Sequence, residues 1–273
     1  MARLLILGFG VATYGIFFLT FLYLVAFVGN LQLTTLADAW PQLAALVPYS
    51  IDAGRDVGHP ASAVAINLGL ILLFGVQHSI MARTGFKTWL SRRAHVSLER
   101  GIYVLVSTLL LILLMWQWRP LPGIVWSADS NLGTLVGYGV FAAGFLLALT
   151  STFLIDHFEL FGLKQVWGRF SGREPKPSPF VTPLPYRFVR HPLYLGFFLA
   201  FWGTPVMTHG HLLFAGGMTL YVLIGVRLEE RDLVRAHGEH YARYREQVPM
   251  LIPVPGRSFR APNASPGPAR RRP

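Results

Sequence analysis

Six stretches of this chain run for 16 to 25 residues with no charged side chain, and nothing else in the sequence restricts the fold as much. They are Leu4–Val28, Ala61–Ala82, Gly101–Trp118, Leu132–Ile155, Pro192–Thr208 and His211–Val226. A helix rising about 1.5 Å per residue crosses a hydrocarbon core of ~30 Å with such a run. Lipid cannot satisfy backbone N–H and C=O groups, so a spanning segment must be a helix or part of a closed barrel. No segment with strand periodicity long enough to compete lies between the runs. The expected fold is therefore all-α: a polytopic membrane helical bundle of five to six spans. It should close with a C-terminal helical hairpin and a cytoplasmic amphipathic helix. Only 14% of residues are charged, against about a quarter in a soluble domain, and the runs account for the shortfall.

The first run resembles a signal peptide in position. It is long, has a single Arg before it and lacks a convincing small-residue cleavage site, so an uncleaved helix is expected. The 273-residue length then suits a single integral-membrane domain over residues 1–255 and a basic tail over 256–273. That tail, rich in Arg and Pro with no acid, is expected to be disordered and drawn to the membrane surface. The external loop 30–60 carries Asp38, Asp52 and Asp56 and is expected to form a cap. The segment Phe158–Arg190 holds Pro175, Pro177, Pro179, Pro183 and Pro185 and has the length of a lid or binding loop. No internal repeat is present.

The charges decide orientation. The net charge is +11, and all but Arg55 and Arg119 of the 24 basic residues fall on one side of the six runs. Positive loops stay in the cytoplasm, so both termini are expected there, in a bacterial inner membrane. The same placement removes nucleic acid as a partner: these residues mark topology and attract anionic lipid, and no recognition module accompanies them. With no cysteine in the chain, disulfides, thiolate metal sites and a cysteine nucleophile are excluded. His209 and His211 in the external turn, and His237 and His240 near Glu230, are not expected to hold metal. Trp89, Trp116, Trp118 and Trp126 fall near predicted interfaces, where tryptophan anchors. Gly137, Gly139 and Gly144 in the fourth run suit close helix packing.

Polar residues at the basic end of the last two runs are what remains to be explained. Folding the chain about His209–Gly210 sets His191 opposite Leu228 and Arg190 opposite Glu229, so Arg190-His191 and Glu229-Glu230 meet at the surface. This reads either as a salt bridge pinning a hairpin or as a binding site. Pro192 suits a first helical turn, whose free N–H groups would face a carboxylate. Tyr194 offers a ring and a hydroxyl, Gly196 permits close approach of a ligand or a helix, and Arg187 lies one turn upstream. Two carboxylates facing Arg and His could hold a zwitterion, its amine on Glu and its carboxylate on the cations. The following stretch Arg231–Gln247, with Leu233, Val234, Tyr241, Tyr244 and Val248 on one side, reads as an interfacial helix on lipid.

Arg190-His191-Pro192-x-Tyr194-x-Gly196, then Glu229-Glu230, then His237-Gly238-x-x-Tyr241-x-x-Tyr244, resemble the C-terminal half of the isoprenylcysteine carboxyl methyltransferase and phospholipid methyltransferase superfamily. Gln77-His78-Ser79-x-Met81-Ala82-Arg83, the run Asp156-His157-Phe158-Glu159-Leu160-Phe161-Gly162-Leu163-x-Gln165-Val166-Trp167 and the ending Met250-Leu251-Ile252-Pro253 extend the likeness over nearly the whole chain. They are similar to the bacterial methanethiol S-methyltransferases, related to NnrU-type membrane proteins. The resemblance implies transfer of a methyl group from S-adenosylmethionine to methanethiol, giving dimethyl sulfide, with membrane lipid around the enzyme and no metal. It implies a cofactor-binding part over about 156–255, with Tyr186, Arg187, Arg190, His191, Leu193, Tyr194, Gly196, Glu229, Glu230, Tyr241 and Tyr244 as cofactor-binding candidates. A thiolate is the nucleophile such a reaction needs, so a proton acceptor is sought among His78, Asp156 and His157, with Arg83 or Arg187 beside the anion. A lipid amine, a prenylated cysteine carboxylate or a non-catalytic NnrU-like role are the alternatives. The sequence does not give an oligomeric state.

Overall fold

The computed structural model describes residues 1–30, 40–56, 58–173 and 181–258. Asp38, the proline-rich middle of the proposed lid and nearly all of the basic tail lie outside these residues. Five helices are long and apolar enough to cross a membrane: α1 (Ala2–Val28), α3 (Pro60–Met81), α5 (Glu99–Gln117, led by the turn Val96–Leu98), α6 (Asn131–Ile155) and α11 (His209–His237). The short helix α2 spans Pro41–Ala45. The others, α4 (Thr84–Ser91), α7 (His157–Leu160), α8 (Leu163–Ser171), α9 (Leu184–Phe188), α10 (Pro192–Trp202) and α12 (Glu239–Gln247), lie at or near the basic end. Leu19, Leu72, Leu132, Leu135, Leu146 and Leu220 are exposed on the long helices. A helix apolar on every side belongs in lipid, so these are the lipid-facing positions.

The fifth span departs from its expected form. The helix α10 has only 11 residues, ~16 Å, about half a hydrocarbon core. It stops at Trp202 because Gly203 leaves helical geometry and Thr204 precedes Pro205, which disfavours the helical region. The chain finishes its crossing in β2 (Val206–Thr208), paired antiparallel with β1 (Ile124–Ser127) in the register Ile124↔Thr208 and Ser127↔Val206. The bundle is all-α as expected apart from this two-stranded ribbon, which caps the end opposite the basic face.

Contacts place α1 against α5 and α8, α3 against α5 and α11, and α10 between α6 and α11. One core joins these helices: Phe27, Phe74, Leu114, Trp118, Phe145, Phe201 and Phe214 are buried together. The α6–α10 crossing is the closest. A Cβ on Gly144 would lie 2.6 Å from the Gly196 oxygen, and one on Gly196 would lie 2.5 Å from the Ala148 nitrogen. Small residues let the backbones meet, as they do in lipid where no hydrophobic force drives helices together. Gly137 likewise meets Pro205, whereas Gly139 faces open space.

At 29 residues, ~43 Å, α11 overshoots the hydrocarbon core, and its last turns emerge at the basic face. The predicted amphipathic stretch is broken at Gly238, whose φ of 56° suits glycine. Its apolar side does not lie on lipid: Tyr241, Tyr244 and Val248 are buried against Leu233 and Val234, folding α12 back onto the end of α11.

Candidate functional site

The hairpin count from the sequence is one residue out of register. Arg190, just ahead of α10, reaches Glu230 on α11, its Nε 2.6 Å from Oε1, and His191 Nε2 lies 3.1 Å from the same oxygen. The side chains of Arg190, His191 and Glu230 are 9%, 7% and 11% exposed, so this is an interior ion cluster. Its Nη1 donates to main chain, to Arg245 O at 2.8 Å and to Val248 O. The backbone continues the clasp, with Arg190 N donating to Pro249 O at 2.9 Å and His191 N to Met250 O at 3.2 Å. Arg190 therefore ties the segment after α12 across the start of α10.

Glu229 points elsewhere. It accepts a 2.9 Å hydrogen bond from Tyr194 Oη, one turn into α10. The helical start leaves the N–H groups of Leu193 and Tyr194 without intrahelical partners. Tyr186, on α9, donates to Ser151 O at 3.3 Å and accepts at its own carbonyl from Tyr244 Oη at 2.5 Å, linking α6 to α12. Burial pushes the Tyr186, Tyr241 and Tyr244 phenols up, so these rings stay neutral. Arg187 is exposed and donates to Thr182 O at 3.3 Å. Gly196 faces α6, and the crossing described above fills the space a Cβ would need.

His78 approaches this cluster from α3. Its Nε2 is 2.5 Å from Tyr103 Oη and its Nδ1 is 3.2 Å from Ser107 Oγ, both on α5. The His78 ring also meets Phe74 and, edge-on, Tyr221 of α11. Just past the end of α3, Arg83 is 2.6 Å from Asp232, beyond the Glu pair on α11.

Asp156 and His157 form a different neighbourhood. Asp156 caps α7 by accepting from Glu159 N at 3.0 Å, and Lys164 is 2.5 Å from Asp156 and 3.0 Å from Glu159. Those two carboxylates raise the Lys164 ammonium above its ordinary value. His157 is buried between Tyr14 Oη at 2.8 Å and Thr152 Oγ1 at 2.7 Å and stacks on Phe153; burial lowers its pKa. Neither of its hydrogen-bond partners is shared with His78. A shallow recess of about 380 Å³ lined by Phe153, Asp156, Phe158 and Val181 opens beside it.

Sequence reasoning passed over Tyr103, Ser107 and Tyr221. One signal was available: Tyr103 and Ser107 are four residues apart, on one face of an otherwise apolar helix. Among the described residues, no group of three His, Asp or Glu side chains is arranged to hold a metal ion.

The family model of the NnrU protein matches residues 66–255, which contain every residue of this cluster. The chain belongs to the NnrU family. The chain is 49% identical to Methanethiol S-methyltransferase 1 of Bradyrhizobium diazoefficiens, over 90% of this chain and 81% of that protein. It is 45% identical to the Methanethiol S-methyltransferase of Crocosphaera subtropica, over 94% of this chain and 95% of the relative. A more distant likeness, 33% identity over 62% of this chain and 68% of the relative, is to Nurim of Sus scrofa. No solved structure matches the chain.

Proposed function

We propose that this NnrU family member is a methyltransferase that converts methanethiol to dimethyl sulfide with S-adenosylmethionine as donor, at the cytoplasmic face of a bacterial inner membrane. The observation that carries this reading is identity of 45–49% across nearly the whole chain to two proteins named as methanethiol S-methyltransferases.

The donor set suits such a molecule. Glu229 offers a carboxylate held by one tyrosine hydroxyl, fit for an α-ammonium group, and the start of α10 offers N–H groups fit for a carboxylate. Tyr186 and Tyr194 add aromatic faces for a cationic sulfur. Arg190 takes a different part from a direct ligand: its donors hold Glu230 and the segment after α12, so it fixes the walls of the site. When bound, the donor supplies a methyl group already activated on a sulfonium. The chain must hold the acceptor sulfur in line, keep water out and take the thiol proton.

Calorimetry with S-adenosylhomocysteine on detergent-purified protein tests the reading. Binding is expected in the wild type, with about a tenfold or greater loss in Glu229→Gln, about 1.4 kcal/mol. Absence of binding would leave the non-catalytic NnrU-like reading.

A further inference from the structure

Among the described residues, two hydrogen-bonded Tyr–His pairs lie inside this bundle, and one of them adjoins the proposed donor site. Tyr14–His157 packs against Phe153 and Phe161 on the α1–α6–α7 side, and Thr152 satisfies the other imidazole nitrogen. Tyr103–His78 lies where α3, α5 and α11 meet. Tyr221 lies eight residues before Glu229 on α11, about 12 Å short of it along the helix. The His78 ring packs against both Tyr103 and Tyr221, so these rings lie on the membrane side of Glu229. Gly75 makes room for one of them, since a Cβ there would lie 2.7 Å from Tyr221 Cδ2. The result is a group of aromatic rings below the donor residues, with the Tyr103 phenol, the His78 imidazole and Ser107 Oγ in a hydrogen-bonded chain. A small apolar thiol suits such surroundings.

We infer that Tyr103, Tyr221 and Phe74 form the acceptor subsite for a small alkyl thiol, and that Tyr103 is the catalytic residue that takes the thiol proton, with His78 and Ser107 as its relay. The inference rests on the methyltransferase reading above and specifies its acceptor side. Tyr103 Oη donates to His78 Nε2, which puts the ring proton on Nδ1, donated to Ser107 Oγ. In the step, the S–H bond breaks and its proton goes to Tyr103 Oη as the phenolic proton passes to His78 Nε2. The sulfur electron pair forms the new bond to the methyl carbon. The old carbon–sulfur bond breaks with its electrons on the donor sulfur, which becomes a neutral thioether. His78 then returns its proton to water at the basic face.

The test is Tyr103→Phe, which keeps the ring and removes only the hydroxyl, with Tyr14→Phe as the matched change in the other pair. At pH 7 Tyr103→Phe is expected to lower kcat about 100-fold, the lower end of general-base effects. The deficit should shrink about tenfold per pH unit as the thiol ionises unaided in solution. S-adenosylhomocysteine binding should stay at the wild-type level in both variants, and Tyr14→Phe should keep the wild-type kcat and pH profile. A second readout needs no turnover: adding methanethiol to the S-adenosylhomocysteine complex should shift the His78 Nε2 nitrogen-15 resonance toward the protonated position in wild type and not in Tyr103→Phe. An unchanged kcat, a deficit constant with pH or an immobile His78 resonance in the wild type would overturn the relay. If Tyr103→Phe does not fold, the resonance in the wild type decides alone. A wild type that neither binds S-adenosylhomocysteine nor makes dimethyl sulfide would remove the underlying reading instead.

Discussion

Through the single oxygen Oε1, Glu230 meets both Arg190 and His191 in an environment nearly closed to solvent. Removing one partner of a buried pair leaves the other charge uncompensated, which costs about 3–5 kcal/mol. Glu230→Ala is therefore expected to lower unfolding free energy in detergent by about 3 kcal/mol or more. The pair Arg243–Glu239 is a useful contrast: its side chains are 62% and 93% exposed, and Glu239→Ala should leave stability unchanged. A second residue-scale expectation concerns pH. His157 has a lowered pKa because it is buried, so folding favours its neutral form. A depressed folded-state pKa means the stabilisation is complete above the unfolded value of about 6.5 and is lost as pH falls below it. Melting temperature should thus decline on acidification from pH 7 towards pH 5, and His157→Phe should flatten that decline.

Between helices, the α6–α10 crossing depends on absent side chains. Gly196→Val places a branched side chain where even a Cβ meets backbone at 2.5 Å, and backbone cannot give way as a flexible side chain can. The variant should fail to accumulate as folded protein in membranes, while Gly139→Ala, in open space, should match the wild type. Gel filtration in detergent reads both outcomes. The Gly137–Gly139–Gly144 cluster was legible in the sequence as packing, though which of the three is packed was not, because that depends on the rotation of α6. The Arg190–Glu230 meeting was legible to within one residue, since two helices leaving one turn must return together. The slip came from α10: the sequence remains uncharged through Thr208, so nothing in hydropathy shows that the helix ends at Gly203 and the crossing finishes as strand. Strands of four and three residues are too short to show a period of two. Tyr14–His157 joins residues 143 positions apart, and no local pattern encodes such a pair. The clasp on Arg190 uses carbonyl oxygens, which every residue has, so sequence carries no trace of it.

Taken as a whole, the molecule has two unlike ends joined by an apolar middle. One is closed by the β-ribbon and by Asp52, which accepts from Asn30 at 2.5 Å and from Thr208. The other gathers most of the short helices, the basic residues and the Tyr194–Glu229 and Tyr103–His78 pairs. Orientation can be tested directly because the chain has no cysteine. Arg92→Cys and Asp129→Cys, both exposed, each add a lone thiol at opposite ends. An impermeant maleimide should label Asp129→Cys in intact cells and Arg92→Cys only after the membrane is opened; the reverse pattern would invert the topology. The central claim is the reaction. Membranes containing the protein are given S-adenosylmethionine with a trideuterated methyl group and unlabelled methanethiol, and the headspace is read by mass spectrometry. The account predicts dimethyl sulfide carrying one trideuterated methyl, at a rate that falls with Tyr103→Phe. Dimethyl sulfide without the label, or none above control membranes, would contradict it.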